Sequence, residues 1–197
     1  MGKFEGVLLA SDFDDTLVGG SCELSPGNRA ALTYFIREGG RFTVATGRAR
    51  RTFAPYAHTV PLNAPVILSN GALLYDFAAG RTVVDLPLPE TAAADLGQLC
   101  AVMPQIGVET YHGDDVYICQ PNAFTQRHVE RVRTTWTQRD LPDMPQPWSK
   151  AVIRADYQSL LTAQKYLLDR WPDRYEVIFS NAVLLECTAK TATTGGM

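Results

Sequence analysis

Apolar residues fall along this chain in short runs that end abruptly in polar clusters, with longer amphipathic stretches between them. Val7-Leu8-Leu9-Ala10 is the first such run. Its lack of alternation predicts a strand buried on both faces, with Asp12 at its carboxyl end. Ser25-Pro26 then supplies an N-cap and a proline at the first helical position. Leu32, Phe35 and Ile36 give that helix one apolar face, and Gly39-Gly40 stop it. A second strand, residues 41–45, ends in Thr46-Gly47-Arg48. After a helical piece interrupted by Pro55, a third run at residues 65–68 ends in Ser69-Asn70-Gly71. Strand, helix, strand, helix, strand predicts an α/β fold: a parallel sheet with right-handed crossovers that binds ligands at the carboxyl ends of its strands. All three polar clusters fall at those ends.

Beyond Ala72 the pattern changes. Residues 73–76 and 81–84 alternate around Ala79-Gly80, which predicts a hairpin. From Leu86 the chain restarts as a second α/β domain. Helices are expected at 90–102 and 123–132, and strands at 108–111, 116–119, 151–155, 175–180 and 182–187. A further helix carries the stripe Tyr157, Leu160, Leu161, Leu167, Leu168 and Trp171.

Composition narrows the function classes. An apolar content of 46% over 197 residues is ample for a buried core. The 18 basic and 21 acidic residues are dispersed, so no basic block presents itself to nucleic acid or anionic lipid, and neither is an expected partner. No apolar segment approaches the length of a membrane span. Cys22, Cys100, Cys119 and Cys187 show neither metal-ligand spacing nor a disulfide framework, which fits a reducing, cytoplasmic setting. His58, His112 and His128 share no ligand spacing and read as structural.

The chemistry concentrates at the first strand end. Asp12 and Asp14, held two residues apart beyond a strand, repel one another and call for a cation; Mg²⁺, a hard ion suited to oxygen ligands, is the expected cofactor. One aspartate can then attack phosphorus while the other handles the proton. Thr46 offers a hydroxyl and a main-chain N–H to phosphate oxygens, and Gly47 permits close backbone approach.

Asp12-Phe13-Asp14-Asp15-Thr16-Leu17 resembles the first motif, DxDxT, of the haloacid dehalogenase superfamily, and residues 42–48, FTVATGR, resemble its second. Ser69-Asn70-Gly71-Ala72 and the long insertion after the third strand are similar to the Cof-type subfamily, which includes sugar-phosphate phosphatases. The resemblance implies a Rossmann-like core with an incomplete parallel sheet, residues 1–85 plus 187–197, and an inserted α/β cap domain, residues 86–186. It makes Asp12 the nucleophile and a magnesium ligand. Asp14 becomes the general acid/base, with its main-chain carbonyl also on the metal. Thr46 would bind the transferring phosphoryl group, and Arg48, Asn70 and Gly71 would line the substrate entrance. The implied substrate is a small phosphate ester, foremost a sugar phosphate.

One part of the family pattern is not met. A phosphate-binding lysine followed by glycine is expected after the strand at Glu186, yet Thr194 stands in that slot, with Lys190 the candidate substitute. The chain also stops at Met197, before the acidic segment that completes the family's metal site. These departures lead to the expectation of a truncated or frameshifted phosphatase that turns over poorly or not at all and covers an open sheet edge, the apolar run Val7 to Ala10, by self-association or strand exchange. A chain reduced to a phosphate-binding or interaction module is the alternative expectation. A response-regulator receiver is excluded by DxDxT at the first strand and by the large insertion.

Overall fold

The structure is a computed structural model that describes residues 2–20, 22–132 and 134–192. It divides into two compact units, the first extending to Asp85 and the second from Leu86 to Ala192. Thr194, the residue in the expected lysine slot, lies outside the described residues.

The first unit contains β1 (Leu8–Asp12), α1 (Pro26–Arg37), β2 (Arg41–Ala45), the short α2 (Arg50–Phe53), β3 (Val66–Leu68), β4 (Leu73–Asp76) and β5 (Arg81–Asp85). Helix α1 starts where the sequence says it should: the Ser25 hydroxyl accepts from the N–H of Asn28 at 3.1 Å and Pro26 follows it. It stops at Gly39, whose φ of +90° an L side chain resists, and at Gly40, where an added Cβ would sit 2.4 Å from the Phe35 ring. The chain is thereby turned directly into β2.

The five strands lie in sequence order, β1-β2-β3-β4-β5. β1 runs parallel to β2 with Asp12 opposite Ala45, β2 runs parallel to β3 with Ala45 opposite Ile67, and β4 and β5 add antiparallel. This register brings the ends of β1, β2 and β3 level, so the three polar clusters meet at one edge of the sheet. A core of Phe13, Phe42, Val44, Phe53, Val66 and Leu68 supports them from within. Asn63 fastens the approach to β3: its Oδ1 accepts from the N–H of Phe42 at 2.6 Å and its Nδ2 donates to the Gly40 carbonyl at 3.0 Å.

Among the described residues Val7 to Ala10 is not buried on both faces as its apolar run alone predicts, but forms the open sheet edge expected from the unmet part of the family pattern. β1 is an edge strand, with Val7, Leu8 and Leu9 respectively 46%, 62% and 42% exposed. Its apolar run matches that of an interior strand, but among the described residues only β2 pairs with it.

The second unit holds α3 (Ala92–Val102), β6 (Gly107–His112), β7 (Asp115–Cys119), α4 (Ala123–Val132), β8 (Thr137–Gln138), β9 (Lys150–Arg154), α5 (Tyr157–Arg170), β10 (Tyr175–Asn181) and β11 (Leu184–Ala189). They form a six-stranded sheet of order β10-β11-β9-β6-β7-β8, antiparallel apart from the β7–β8 pair. Leu96 and Leu99 of α3 and Leu160 and Leu167 of α5 pack with Val108, Ile153 and Leu185 of the sheet. Tyr157 and Leu161, expected on that apolar stripe, are instead exposed, because the buried stripe runs through Leu160, Ala163 and Leu167.

The opposite sheet face buries charge. Glu109 and Glu186 both lie opposite Val152, and Lys150 and Arg154 flank Val152 at two-residue spacing on the same face. Arg154 Nε donates to Glu109 Oε1 at 2.6 Å, and Lys150 Nζ donates to Glu186 Oε1 at 3.0 Å. Among the described residues no helix is long and apolar enough to cross a membrane.

Candidate active site

The site grows from the end of β1. Phe13 turns inward and is fully buried against Phe53 and Tyr56, with ring centroids 5.2 Å from each, so the flanking Asp12 and Asp14 are left on the exposed side of the turn. The Phe13 carbonyl accepts from the N–H of Val18 at 3.0 Å, and Asp15 adopts a φ of 57°. These features close the loop tightly. Asp15 is accordingly a turn residue.

The Thr16 hydroxyl donates to Asp12 Oδ2 at 3.1 Å and so orients one of the two carboxylate oxygens. This is a physical reason for a threonine four residues after the first aspartate. Asp14 is held differently. Arg48 Nε donates to its Oδ2 at 2.9 Å and Arg48 Nη2 to its Oδ1 at 2.6 Å, a bidentate fork. The same guanidinium lies over the rings of Phe13 and Tyr56, 5.2 and 4.9 Å from their centroids, and donates to the Thr52 carbonyl at 3.3 Å. Its hydrogen bonds to Asp14 strengthen its hold on its proton.

Strand β2 delivers Thr46 to the same edge. Its N–H donates to the Ile67 carbonyl at 2.9 Å, its Oγ1 accepts from the Arg48 N–H at 3.2 Å, and its carbonyl accepts from the Asn70 N–H at 3.2 Å. Because the buried Thr46 oxygen is already accepting, its own proton is oriented away from that N–H and can serve a ligand oxygen. Ser69, Asn70 and Gly71 follow β3 with positive φ values of 50°, 58° and 93°, and the Ser69 N–H donates to the Arg48 carbonyl at 3.0 Å. Three successive left-handed residues are an uncommon backbone. Here they fold the end of β3 back onto residues 46–48.

Asp12, Asp14, Thr46, Gly47, Arg48, Asn70 and Gly71 therefore all belong to one edge of the first unit. Lys190 lies in the second unit, where its Nζ donates to Glu176 Oε2 at 3.1 Å. The contact that sequence reasoning missed is the Arg48–Asp14 fork, together with the seat that Tyr56 provides for it. The short spacing from Thr46 to Tyr56 could have suggested the seat, but not the fork.

No group of three or more His, Cys, Asp and Glu that could hold a metal appears among the described residues. A pair of carboxylates nevertheless fits magnesium, which keeps several waters and takes one or two carboxylates plus substrate phosphate. With Asp14's carboxylate gripped by Arg48, the donors left for such an ion are the Asp12 carboxylate and the Asp14 main-chain carbonyl. A cavity of about 460 Å³ lies alongside, lined by Cys22, Glu23, Leu24, Arg29, Pro55, Tyr56 and Thr59.

Known proteins are similar to this chain in sequence and in fold. The model of the family described as haloacid dehalogenase-like hydrolase matches residues 9–194. A relative from Buchnera aphidicola subsp. Baizongia pistaciae, named as a phosphatase, is 24% identical over 192 residues, covering 95% of this chain and 71% of its own. The pyridoxal phosphate phosphatase of Escherichia coli is 30% identical over 89 residues, covering 45% of this chain and 33% of its own. Among solved structures, a haloacid dehalogenase subclass IIB sugar phosphatase superposes with a TM-score of 0.78 at 16% identity, over 96% of this chain and 72% of that one. At that identity the likeness is one of fold.

Proposed function

The chain belongs to the haloacid dehalogenase-like hydrolase family and is by that membership a phosphatase; from this premise we propose that it hydrolyses small phosphomonoesters, foremost sugar phosphates, through an aspartyl-phosphate on Asp12. The observation that carries the reading is the convergence of Asp12, Asp14 and Thr46 on one sheet edge, with Asp12 oriented by Thr16. The sugar-phosphate preference rests on the Cof-like motifs and on the fold shared with a sugar phosphatase.

In the first half-reaction an Asp12 oxygen forms a bond to phosphorus as the ester P–O bond breaks in line with it. Asp14, protonated on an oxygen lone pair that the Arg48 fork leaves open, gives that proton to the departing alkoxide, which leaves as the alcohol. In the second, Asp14 takes a proton from water, and the water oxygen displaces Asp12 from phosphorus. Inorganic phosphate departs and both aspartates return to their starting state. Thr46 donates its hydroxyl to a phosphoryl oxygen, and Gly47 lets the main chain approach it. Asp12 and the Asp14 carbonyl would hold magnesium, which supplies positive charge to offset the carboxylates and the substrate phosphate. Catalysis of this type needs mainly positioning and charge.

The test is magnesium-dependent release of inorganic phosphate from a panel of sugar phosphates and pyridoxal phosphate. Asp12→Asn is expected to lower turnover by roughly 10⁴-fold or more. Turnover that survives that substitution contradicts the proposal.

The β1 edge supports a proposal about assembly: a second copy pairs with it and covers Val7, Leu8 and Leu9. Sedimentation is expected to show a dimer that Leu8→Lys disperses, and a purely monomeric unsubstituted chain overturns this. Four free cysteines fit the proposed cytoplasmic setting.

A further inference from the structure

We infer that Arg48 is a positioning residue for Asp14, an orienting fork on the acid/base carboxylate rather than a group that meets the substrate. The inference rests on the reading of Asp14 as the general acid/base.

The Asp14 side chain is 46% exposed and sits in a turn, where an unattached carboxylate would sample several rotamers. Arg48 removes that freedom, because its Nε and Nη2 engage both carboxylate oxygens at 2.9 and 2.6 Å. An ordinary surface ion pair contributes little, since two long side chains must be immobilised to form it. Here the arginine is already immobilised. The buried Phe13 and the Tyr56 ring seat its guanidinium at 5.2 and 4.9 Å, the Thr52 carbonyl accepts from Nη1 at 3.3 Å, and Cys22 Sγ accepts from Nη2 at 3.5 Å. The side chain is only 24% exposed.

The same bonds argue against substrate recognition. Arginine reads phosphate with two parallel N–H groups of one edge. In this structure the Nε/Nη2 edge is turned onto Asp14 and the Nη1 side onto Thr52, so the fork faces the protein. Phe13, the residue between the two aspartates, is itself part of the seat. Asp14 is thus aimed relative to Asp12 by one rigid unit that spans the ends of β1 and β2. A misplacement of about 1 Å in such an alignment can cost 10²-fold in rate.

The experiment compares two esters: a sugar phosphate, whose alkoxide needs a proton to leave, and p-nitrophenyl phosphate, whose phenolate leaves without one. Arg48→Ala is expected to lower kcat for the sugar phosphate about 10²-fold, with KM little changed, while p-nitrophenyl phosphate loses far less. Asp14→Asn should show the same dependence on the leaving group. Arg48→Lys should not restore the rate, because an ammonium cannot fork, whereas added free guanidinium should partly rescue Arg48→Ala. Tyr56→Leu removes one wall of the seat, together with the phenol's own hydrogen bond to the guanidinium, and leaves the fork onto Asp14 in place. It should give a milder loss of the same kind, with an unchanged circular dichroism spectrum.

An equal loss on both esters overturns the inference, since that marks a structural role. A raised KM with kcat intact also overturns it, since that marks phosphate binding. An unsubstituted chain that releases phosphate from neither ester defeats the phosphatase reading, and this inference falls with it. Unsubstituted activity combined with an indifferent Arg48→Ala defeats the inference alone.

Discussion

Each charged side chain in this protein is informative through what answers it. At the site, Asp12 is answered by Thr16 and Asp14 by Arg48; on the second sheet, the buried Glu109 is answered by Arg154. Removing one member of that buried pair strands the other. Glu109→Ala should therefore destabilise the second unit by about 3–5 kcal/mol in urea unfolding. His128, with its Nε2 3.6 Å from Glu109 Oε2, adds a pH dependence. Burial, helped by the charges of Arg154, Arg131 and Lys150, pushes its imidazole from 6.5 down to about 3. Glu109 does not reverse this, being occupied by Arg154 and itself pushed up by burial. The folded protein therefore favours neutral His128. That contribution is full above about pH 6.5 and is lost toward about pH 3, at up to about 1.4 kcal/mol per pH unit. Urea midpoints at pH 7 and pH 5 should fall less for His128→Gln than for the unsubstituted chain. The convergence of Asp12, Asp14 and Thr46 was legible in the sequence because each apolar strand run stops abruptly in a polar cluster, which places them at neighbouring strand ends. The Arg48 fork and the Glu109–Arg154 pair were not, because each joins residues far apart in the chain by packing alone.

At the scale of elements, local signals decided most boundaries. Ser25-Pro26 and Gly39-Gly40 bracket α1, and the hydroxyl bond to Asn28 makes the cap testable. Ser25→Ala should lower stability by about 1 kcal/mol without altering the site. The hairpin at β4 and β5 formed where alternation and Ala79-Gly80 placed it. β1 went the other way. A run of four apolar residues specifies a strand but says nothing about how many neighbours it has, and β1 has β2 on one side as its described partner. The two-residue β8 was too short to leave a pattern. Cys22, grouped with the other cysteines, instead lines a cavity and touches Arg48.

For the whole molecule, the two units have separate apolar cores, one around Phe13, Phe42 and Phe53 and the other around Leu96, Leu99 and Ile153. Phe53→Ala, at roughly 3–5 kcal/mol, should weaken the first unit and loosen the seat of Arg48. Leu99→Ala should weaken the second, and hydrogen exchange resolved by segment would separate the two effects. The first unit carries every residue assigned here to phosphoryl transfer, which makes Asp12 the point on which the account turns. The most direct measurement is acid quenching during turnover of a ³²P-labelled sugar phosphate, followed by peptide mapping. The account predicts a hydroxylamine-labile label on the peptide containing Asp12, absent from Asp12→Asn. Turnover with no label on that peptide, or a label that persists in Asp12→Asn, would contradict it.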